Sequence, residues 1–350
     1  MLLLSEIEEK RERWRSEVDS VLDKISDVEA EINKFLSLLA TLDSYSIEIP
    51  SSLKEIRSRG YVFHASLEDR ARELIDSWMK LRHSFVSLAK SLETNYLPRL
   101  KNLRNKCERL LDLSPSMQHE MELRRIEDSV RNLEQSIDDM LEKVWSQARE
   151  LESRFFSIKS RINMALWCTS LLMEASFKLL DDEHVVSAYS AKLMGEDKIK
   201  GYLFVTDKRL IFEAEKEIVL KKVLFIATKK KKVREVVYDI PIGYVAQVSK
   251  GKVGFFERGG VYIDFKPSAP VQQLIFDLSD RVIDNLIRDI NYVLSGIADR
   301  DRVEVTERPA EKQAPAMVKC PYCGAPIKKE IVRGLTSIKC EYCGAVIQLS

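Results

Sequence analysis

From Leu4 to Leu42 the apolar positions Leu4, Ile7, Trp14, Val18, Val21, Ile25, Val28, Ile32, Phe35, Leu39 and Leu42 follow alternating steps of three and four, with Arg11 the one polar intruder. Such spacing returns to one face of an α-helix every 3.5 residues and predicts a long amphipathic helix with a heptad seam. Pro50, within Tyr45–Ser52, is expected to end it, because proline lacks an N–H and its ring crowds the preceding turn. The stripe restarts at Leu67, Ala71, Leu74, Trp78, Leu81, Phe85, Leu88 and Leu92, with Ser66 placed to act as N-cap. It continues through Tyr96, Leu100, Leu103, Cys107 and Leu110, with a kink or break expected at Pro98. After a turn at Leu113–Met117, a last stripe runs Ile126, Val130, Leu133, Ile137, Met140 and Val144, slips by one residue to Ala148, and continues through Leu151, Phe155, Ile158 and Ile162. The slip reads as a stutter. Short breaks between long helices favour antiparallel neighbours, so residues 1–180 are read as a long antiparallel helical bundle or coiled coil. The seam serves either as internal core or, in part, as a contact with a second copy or partner, so a homodimer through this region stays open.

Past residue 182 the period changes from 3.5 to 2. His184–Leu193, Gly201–Thr206, Arg209–Glu213, Ile218–Ala227, Val233–Ile240 and Gly260–Phe265 are short runs rich in Val, Ile, Phe and Tyr, separated by turn signals such as Thr206-Asp207-Lys208. Successive strands imply an antiparallel sheet. An amphipathic helix with the face Val271, Ile275, Leu278, Val282, Leu286, Ile290 and Val293 is expected to follow, closing a small barrel or sandwich over residues 182–297.

The run Gly201–Glu213 (GYLFVTDKRLIFE), with Ile240-Pro241-Ile242 downstream, resembles the bacterial and archaeal pleckstrin-homology group and the related GRAM domains, which share a Gly-x-Leu-x-x-Thr-x-x-Arg-Leu stretch. The resemblance covers roughly a third of the chain. It implies that Gly201, Leu203, Thr206, Arg209 and Leu210 build a hairpin and its turn, as structural residues and not as a ligand site. The implied fold class is therefore multidomain, α followed by α+β: a helical bundle, a PH/GRAM-like antiparallel β-barrel with a C-terminal helix, and a last small module.

Residues 298–318, rich in charge, Ala and Pro and without a sustained apolar period, read as a flexible linker to that module. In residues 319–350 two pairs, Cys320/Cys323 and Cys340/Cys343, stand sixteen residues apart in the near-duplicate repeats CPYCGAPI and CEYCGAVI. One Cys-x-x-Cys turn aims two thiolates at one ion, and two such turns complete a tetrahedron. Gly324 and Gly344 can supply the positive φ that turns backbone amides toward the sulfurs. Four cysteines leave no open coordination position, so the expected ion is one structural zinc in a zinc ribbon. Paired disulfides or a redox dithiol are the alternative, although a redox pair needs only one such motif.

Composition removes several function classes. The chain has 350 residues, 45% hydrophobic, with a formal net charge of +1, and none of its three parts departs from neutrality by more than three charges. No global field steers it to nucleic acid or anionic lipid, so partner arguments are local. Met164–Met173, the most apolar stretch, has about half the length a bilayer crossing requires. No secretory leader is expected from Met1 to Glu9, and clustered cysteines suit a reducing compartment, so the expected location is cytoplasmic, with peripheral membrane contact open. No phosphate-cradling glycine loop, nucleophile with base or open metal site is visible, and the chain is expected not to be an enzyme.

The sharpest basic run is Lys229, Lys230, Lys231 and Lys232 with Arg234, preceded by Lys221 and Lys222. In a pleckstrin-like domain such a run can meet lipid phosphates; it can equally be a solvated hairpin tip. Lys250, Lys252, Phe255, Phe256 and Arg258 form a second basic and aromatic segment. On the ribbon, Lys319, Lys328, Lys329, Arg333 and Lys339 can touch phosphate or offset the charge of a four-thiolate centre. The expected protein is a non-enzymatic adaptor or scaffold with protein partners; a nucleic-acid- or ribosome-associated zinc-ribbon factor is the alternative.

Overall fold

The computed structural model describes residues 2–223, 226–254, 258–303, 319–327 and 331–349. It falls into two compact units, Met1–Ser51 with Glu68–Lys159, and Ser52–Leu67 with Ser160–Ser350.

The first unit is built from α2 (Leu67–Ser91), α3 (Leu97–Leu111) and the greater part of α1 (Leu2–Ser58) and α4 (Met117–Met173), whose last turns belong to the second unit. Side-chain pairs fix the helix directions. Trp14 Nε1 donates to the Leu110 carbonyl at 3.0 Å, Arg104 meets Glu29 at 2.7 Å, Phe35 meets Phe85 with ring centroids 6.1 Å apart, and Arg82 meets Asp43 at 2.7 Å. Rising numbers on α1 meet falling numbers on α2 and α3, so these run antiparallel. Lys24 meets Glu127 at 2.7 Å, Phe35 meets Trp145 at 5.8 Å and Tyr45 meets Phe155 at 6.1 Å, so α4 runs parallel to α1. Tyr96 and Ser136 hydroxyls, 3.1 Å apart, link the remaining pair. The result is an up-down-up three-helix bundle, and the seam residues Trp14, Val18, Val21, Ile25, Val28, Ile32, Phe35 and Leu42 are buried inside it.

Three details depart from expectation. Helix α1 does not stop at Pro50 but runs on to Ser58. Pro50 lies on the exposed face, whereas Ile49, Leu53 and Ile56 are buried on the other. Burying three such side chains stabilises by about 1.5–3 kcal/mol each, which outweighs the roughly 3 kcal/mol cost of an interior proline. The helix ends instead at Gly60, with φ +83°, where Gly60 N–H bonds the Arg57 carbonyl at 2.9 Å and Tyr61 N–H the Ile56 carbonyl at 3.0 Å. That pair of bonds is a Schellman cap. Pro50→Ala is expected to raise the stability of the bundle by about 1–3 kcal/mol, read as a higher urea midpoint; an unchanged midpoint would show that the helix loses nothing to the proline.

At Pro98 the chain neither reverses nor breaks. A π-helical turn, Leu92–Tyr96, precedes α3, and the Leu97 N–H bonds the Leu92 carbonyl five residues back. The widened turn makes room for the proline ring at the start of α3. The stutter also falls earlier than the sequence suggests: Leu141, not Met140, follows Ile137 as a fully buried residue. Ser116 begins α4 as its N-cap, its hydroxyl accepting the His119 N–H at 3.2 Å.

The second unit carries β1 (Val185–Leu193), β2 (Ile199–Thr206), β3 (Arg209–Val223), β4 (Ile226–Pro241), β5 (Val245–Val253), β6 (Arg258–Phe265) and β7 (Gln273–Asp277), then α5 (Asp280–Leu294) and α6 (Ile297–Arg300). All pairings are antiparallel, in the order β4-β3-β2-β1-β7-β6-β5. Antiparallel strands followed by one helix is the element order implied by the pleckstrin-homology resemblance. Among the described residues no hydrogen bonding joins β4 to β5, so the sheet is an open order and not a demonstrated closed barrel. Helix α5 lies against β1, β2, β5 and β6 and buries Ile283, Leu286, Ile290 and Val293 on the core.

The helical stripe expected from Val271 is wrong at its start. Gln273–Asp277 is strand β7, in which Leu274 and Phe276 alternate inward and Phe276 meets Phe212 at 5.2 Å. A five-residue strand and one helical turn place apolar residues almost alike, and pairing with β6 and β1 decides the matter. Strand β5 went unforeseen because Val245-Ala-Gln-Val-Ser-Lys-Gly-Lys-Val has few apolar residues and is largely exposed. The runs at Arg209–Glu213 and Ile218–Ala227 are not separate strands; β3 carries on to Val223, which pairs with Ile226. No helix is long and apolar enough to cross a membrane among the described residues.

Candidate metal centre

Residues 319–327 and 331–349 form two knuckles and a small hairpin, β8 (Ser337–Lys339) with β9 (Val346–Gln348). The two knuckles have the same backbone bonding. Cys320 N–H bonds the Ala325 carbonyl at 2.8 Å and Gly324 N–H bonds the Cys320 carbonyl at 2.9 Å; Cys340 N–H bonds Ala345 at 2.8 Å and Gly344 N–H bonds Cys340 at 2.9 Å. Gly324 and Gly344 close the turns at φ +73° and +75°, the left-handed region where a side chain would be strained. The sequence duplication is therefore a structural duplication.

These turns bring all four thiols together. Their sulfurs lie within 4.8 Å of one another, with Cys320 to Cys343 at 3.8 Å and Cys323 to Cys340 at 3.7 Å. A disulfide requires about 2.05 Å, so neither pair is bonded. Four thiolates about 2.3 Å from one ion form a tetrahedron with edges of about 3.8 Å, which these separations match. The four cysteines are placed to share one metal ion.

The local electrostatics agree. The Cys340 thiol is drawn down to about 6, first by the Cys343 N–H and then by the Tyr342 N–H. For Cys323 the Ala325 N–H also lowers the value, but the Cys343 thiol, desolvation and the Cys320 thiol push it up to about 12. Four thiols this close cannot all ionise unless a cation sits among them. Beneath the centre the core is minute: Cys320, Ile338, Cys340 and Ile347 are buried, with Ile327, Leu335 and Leu349 packed against them.

The other residues singled out in the sequence fare differently. The side chains of Lys229, Lys230, Lys231 and Lys232 lie outside the described residues, as do Lys328, Lys329, Phe255, Phe256 and residues 304–318 of the expected linker. The described start of that linker is structured, with α6 and a bond from Val303 N–H to the Val62 carbonyl at 2.8 Å. Arg234 is engaged: its guanidinium bonds Glu174 at 2.7 Å and the Leu171 carbonyl at 3.2 Å and lies 4.7 Å over the Tyr202 ring.

The residues of the Gly-x-Leu-x-x-Thr-x-x-Arg-Leu run have structural duties. A Cβ on Gly201 would lie 2.1 Å from the Glu213 carbonyl oxygen, so no larger residue fits between β2 and β3. The Thr206 hydroxyl accepts the N–H groups of Lys208 (3.1 Å) and Arg209 (2.6 Å) and donates to Glu183 (2.6 Å). Arg209 bonds Glu183 at 2.6 and 2.9 Å, Asp239 at 2.6 Å and the Lys178 carbonyl at 2.9 Å. Glu183, which sequence spacing gave no reason to notice, is the buried centre of this turn.

No family model matches the chain, and no curated protein does. Solved structures to which it is similar include the C-terminal domain of an unknown protein from Leishmania infantum, at 14% identity and a TM-score of 0.21 over 32% of this chain and 87% of that one. The Vps36 N-terminal PH domain is similar at 15% identity and a TM-score of 0.22, over 34% of this chain and 86% of that one. The DH/PH domains of p115-RhoGEF are similar at 11% identity and a TM-score of 0.23, over 80% and 98%.

Proposed function

We propose that Cys320, Cys323, Cys340 and Cys343 hold one structural zinc ion, and that the chain is a non-enzymatic adaptor. In this reading the helical bundle spaces or assembles, the sheet unit docks on a protein or on a membrane surface, and the zinc ribbon makes a second contact. Two weak contacts on one chain act together through effective concentration. The observation that carries the reading is the closed set of four sulfurs, which leaves no position for a reacting water. The basic run Lys229–Lys232 belongs to β4, the edge strand of the sheet, and is the segment assigned in this reading to phosphate binding. The location this implies is cytoplasmic, peripheral at the membrane.

A second reading, nucleic-acid binding by the ribbon, is favoured by one feature. Tyr322 and Tyr342 occupy the same place in the two knuckles, are 71% and 58% exposed, and each follows an exposed lysine by three residues, Lys319 and Lys339. Exposed rings beside cations suit base stacking.

Co-sedimentation with vesicles containing about 20% anionic lipid, beside a salt-titrated RNA and DNA binding assay, separates the two. The wild type is expected to pellet with anionic vesicles. The combined variant Lys229→Ala, Lys230→Ala, Lys231→Ala, Lys232→Ala should lose most of that binding, since each lysine near the surface contributes about 1 kcal/mol. Equal binding by both proteins would overturn the role given to the lysines, and binding to RNA alone would favour the second reading.

A further inference from the structure

The stretch between the knuckles does not simply connect them. Gly243 N–H, in the short helical turn after β4, donates to the Arg333 carbonyl at 3.1 Å. The Arg333 guanidinium bonds both oxygens of Asp299, at 2.6 and 2.8 Å, and its Nε bonds the carbonyl of Asp207 in the β2–β3 turn. Val332 is buried. The approach is backbone against backbone and requires glycine on both sides. A Cβ on Gly334, which sits at φ +84°, would lie 1.8 Å from the Lys208 carbonyl oxygen, and one on Gly243 would lie 2.4 Å from the Arg333 nitrogen. Asp207 is itself fixed behind this contact, its carboxylate bonded by the His184 N–H at 2.9 Å and by Arg302.

The same stretch is held from the other side by the ribbon. Leu335 packs on the ribbon core, and the Thr336 carbonyl accepts the Leu349 N–H at 2.8 Å. A core of four buried residues cannot fold a module of this size unaided, so its shape depends on the ion.

We propose that the ribbon is a metal-dependent intramolecular clamp: with the four thiolates gathered on an ion, Val332–Gly334 covers the Asp207–Lys208 turn and Gly243, and without the ion it releases them. This rests on the reading that the cysteines share a metal. Metal occupancy then controls whether one face of the sheet unit is covered by its own chain or open to a partner.

Hydrogen exchange at the Gly243 amide tests the clamp, since its acceptor is the Arg333 carbonyl. The full chain is loaded with Co²⁺, whose visible absorption reports tetrahedral thiolate ligation, and compared with the chelated protein. Exchange at Gly243 should rise roughly tenfold or more when the metal is removed. Arg333→Ala and Gly334→Ala should bind Co²⁺ with the wild-type spectrum yet exchange at the metal-free rate, loaded or not. A thiolate spectrum with Gly243 exchange indifferent to chelation would overturn the clamp and leave the metal site standing. Failure of the wild type to bind Co²⁺ would overturn the metal reading, and the metal dependence with it.

Discussion

Cys340→Ser is expected to abolish tight metal binding and to unfold the cysteine ribbon while the helical bundle and the seven-stranded sheet keep their secondary structure. The magnitude follows from how small the ribbon's own core is among the described residues. Its buried residues are Cys320, Val332, Ile338, Cys340 and Ile347, two of them metal ligands themselves. Structural zinc supplies about 10–16 kcal/mol in small modules of this kind, far more than three apolar side chains can replace. Because the two knuckles are equivalent, Cys320→Ser should behave the same way. Limited proteolysis with mass detection reads the outcome: cleavage should appear within 319–349 in either variant, and in the wild type only after chelation. Equal resistance with and without metal would show that the ribbon folds without it. The clamp adds a second signature, earlier cleavage beside Lys208 in the same samples.

Arg209→Ala is expected to destabilise the second unit by about 3–5 kcal/mol, the usual penalty for removing one partner of a buried ion pair. Glu183 has no exposed side-chain surface, and without the guanidinium it keeps only the Thr206 hydroxyl and the Leu180 N–H at 2.7 Å. The pH dependence should also change sign. In the wild type burial pushes the Glu183 carboxyl up, but Arg209, the Leu180 N–H and Thr206 together hold it below its ordinary 4.5. A depressed carboxylate contributes stability above the unfolded-state value, and that contribution is lost as pH falls through the folded one. In the variant burial acts with less opposition and the value should rise, so stability should instead fall as pH increases past 4.5. Urea midpoints between about pH 3 and 7 measure both slopes. Parallel curves would show that Arg209 does not govern this carboxyl.

The clustering of the four cysteines was legible because it is fixed by short-range spacing: two Cys-x-x-Cys-Gly turns need nothing from the rest of the chain. The bundle was legible for a related reason, since heptad positions on each helix report their own burial. What failed was decided by distant contacts. Pro50 reads as a terminator until the burial of Leu53 and Ile56 outweighs it. Gln273–Asp277 reads as helix until β6 and β1 pair with it. The partner of Arg209 was illegible because Glu183 lies 26 residues upstream on no repeating pattern. Arg333 drew notice only as one more cation in a basic surplus, whereas its carboxylate partner, Asp299, lies at the start of what was expected to be a flexible linker.

Strand β3 outruns its neighbour. Strand β2 accompanies it only from Leu210 to Ala214, while β4 stays paired with it as far as Val223 and Ile226. Among the described residues the outer half of this hairpin is therefore a two-stranded ribbon that no third strand joins, a template on which another chain can add a strand. Four successive lysines on its outer strand repel a second copy of the same segment, because in any in-register pairing like charges would stand face to face. The run Lys229–Lys232 is therefore expected to oppose edge-to-edge pairing of two copies of this strand.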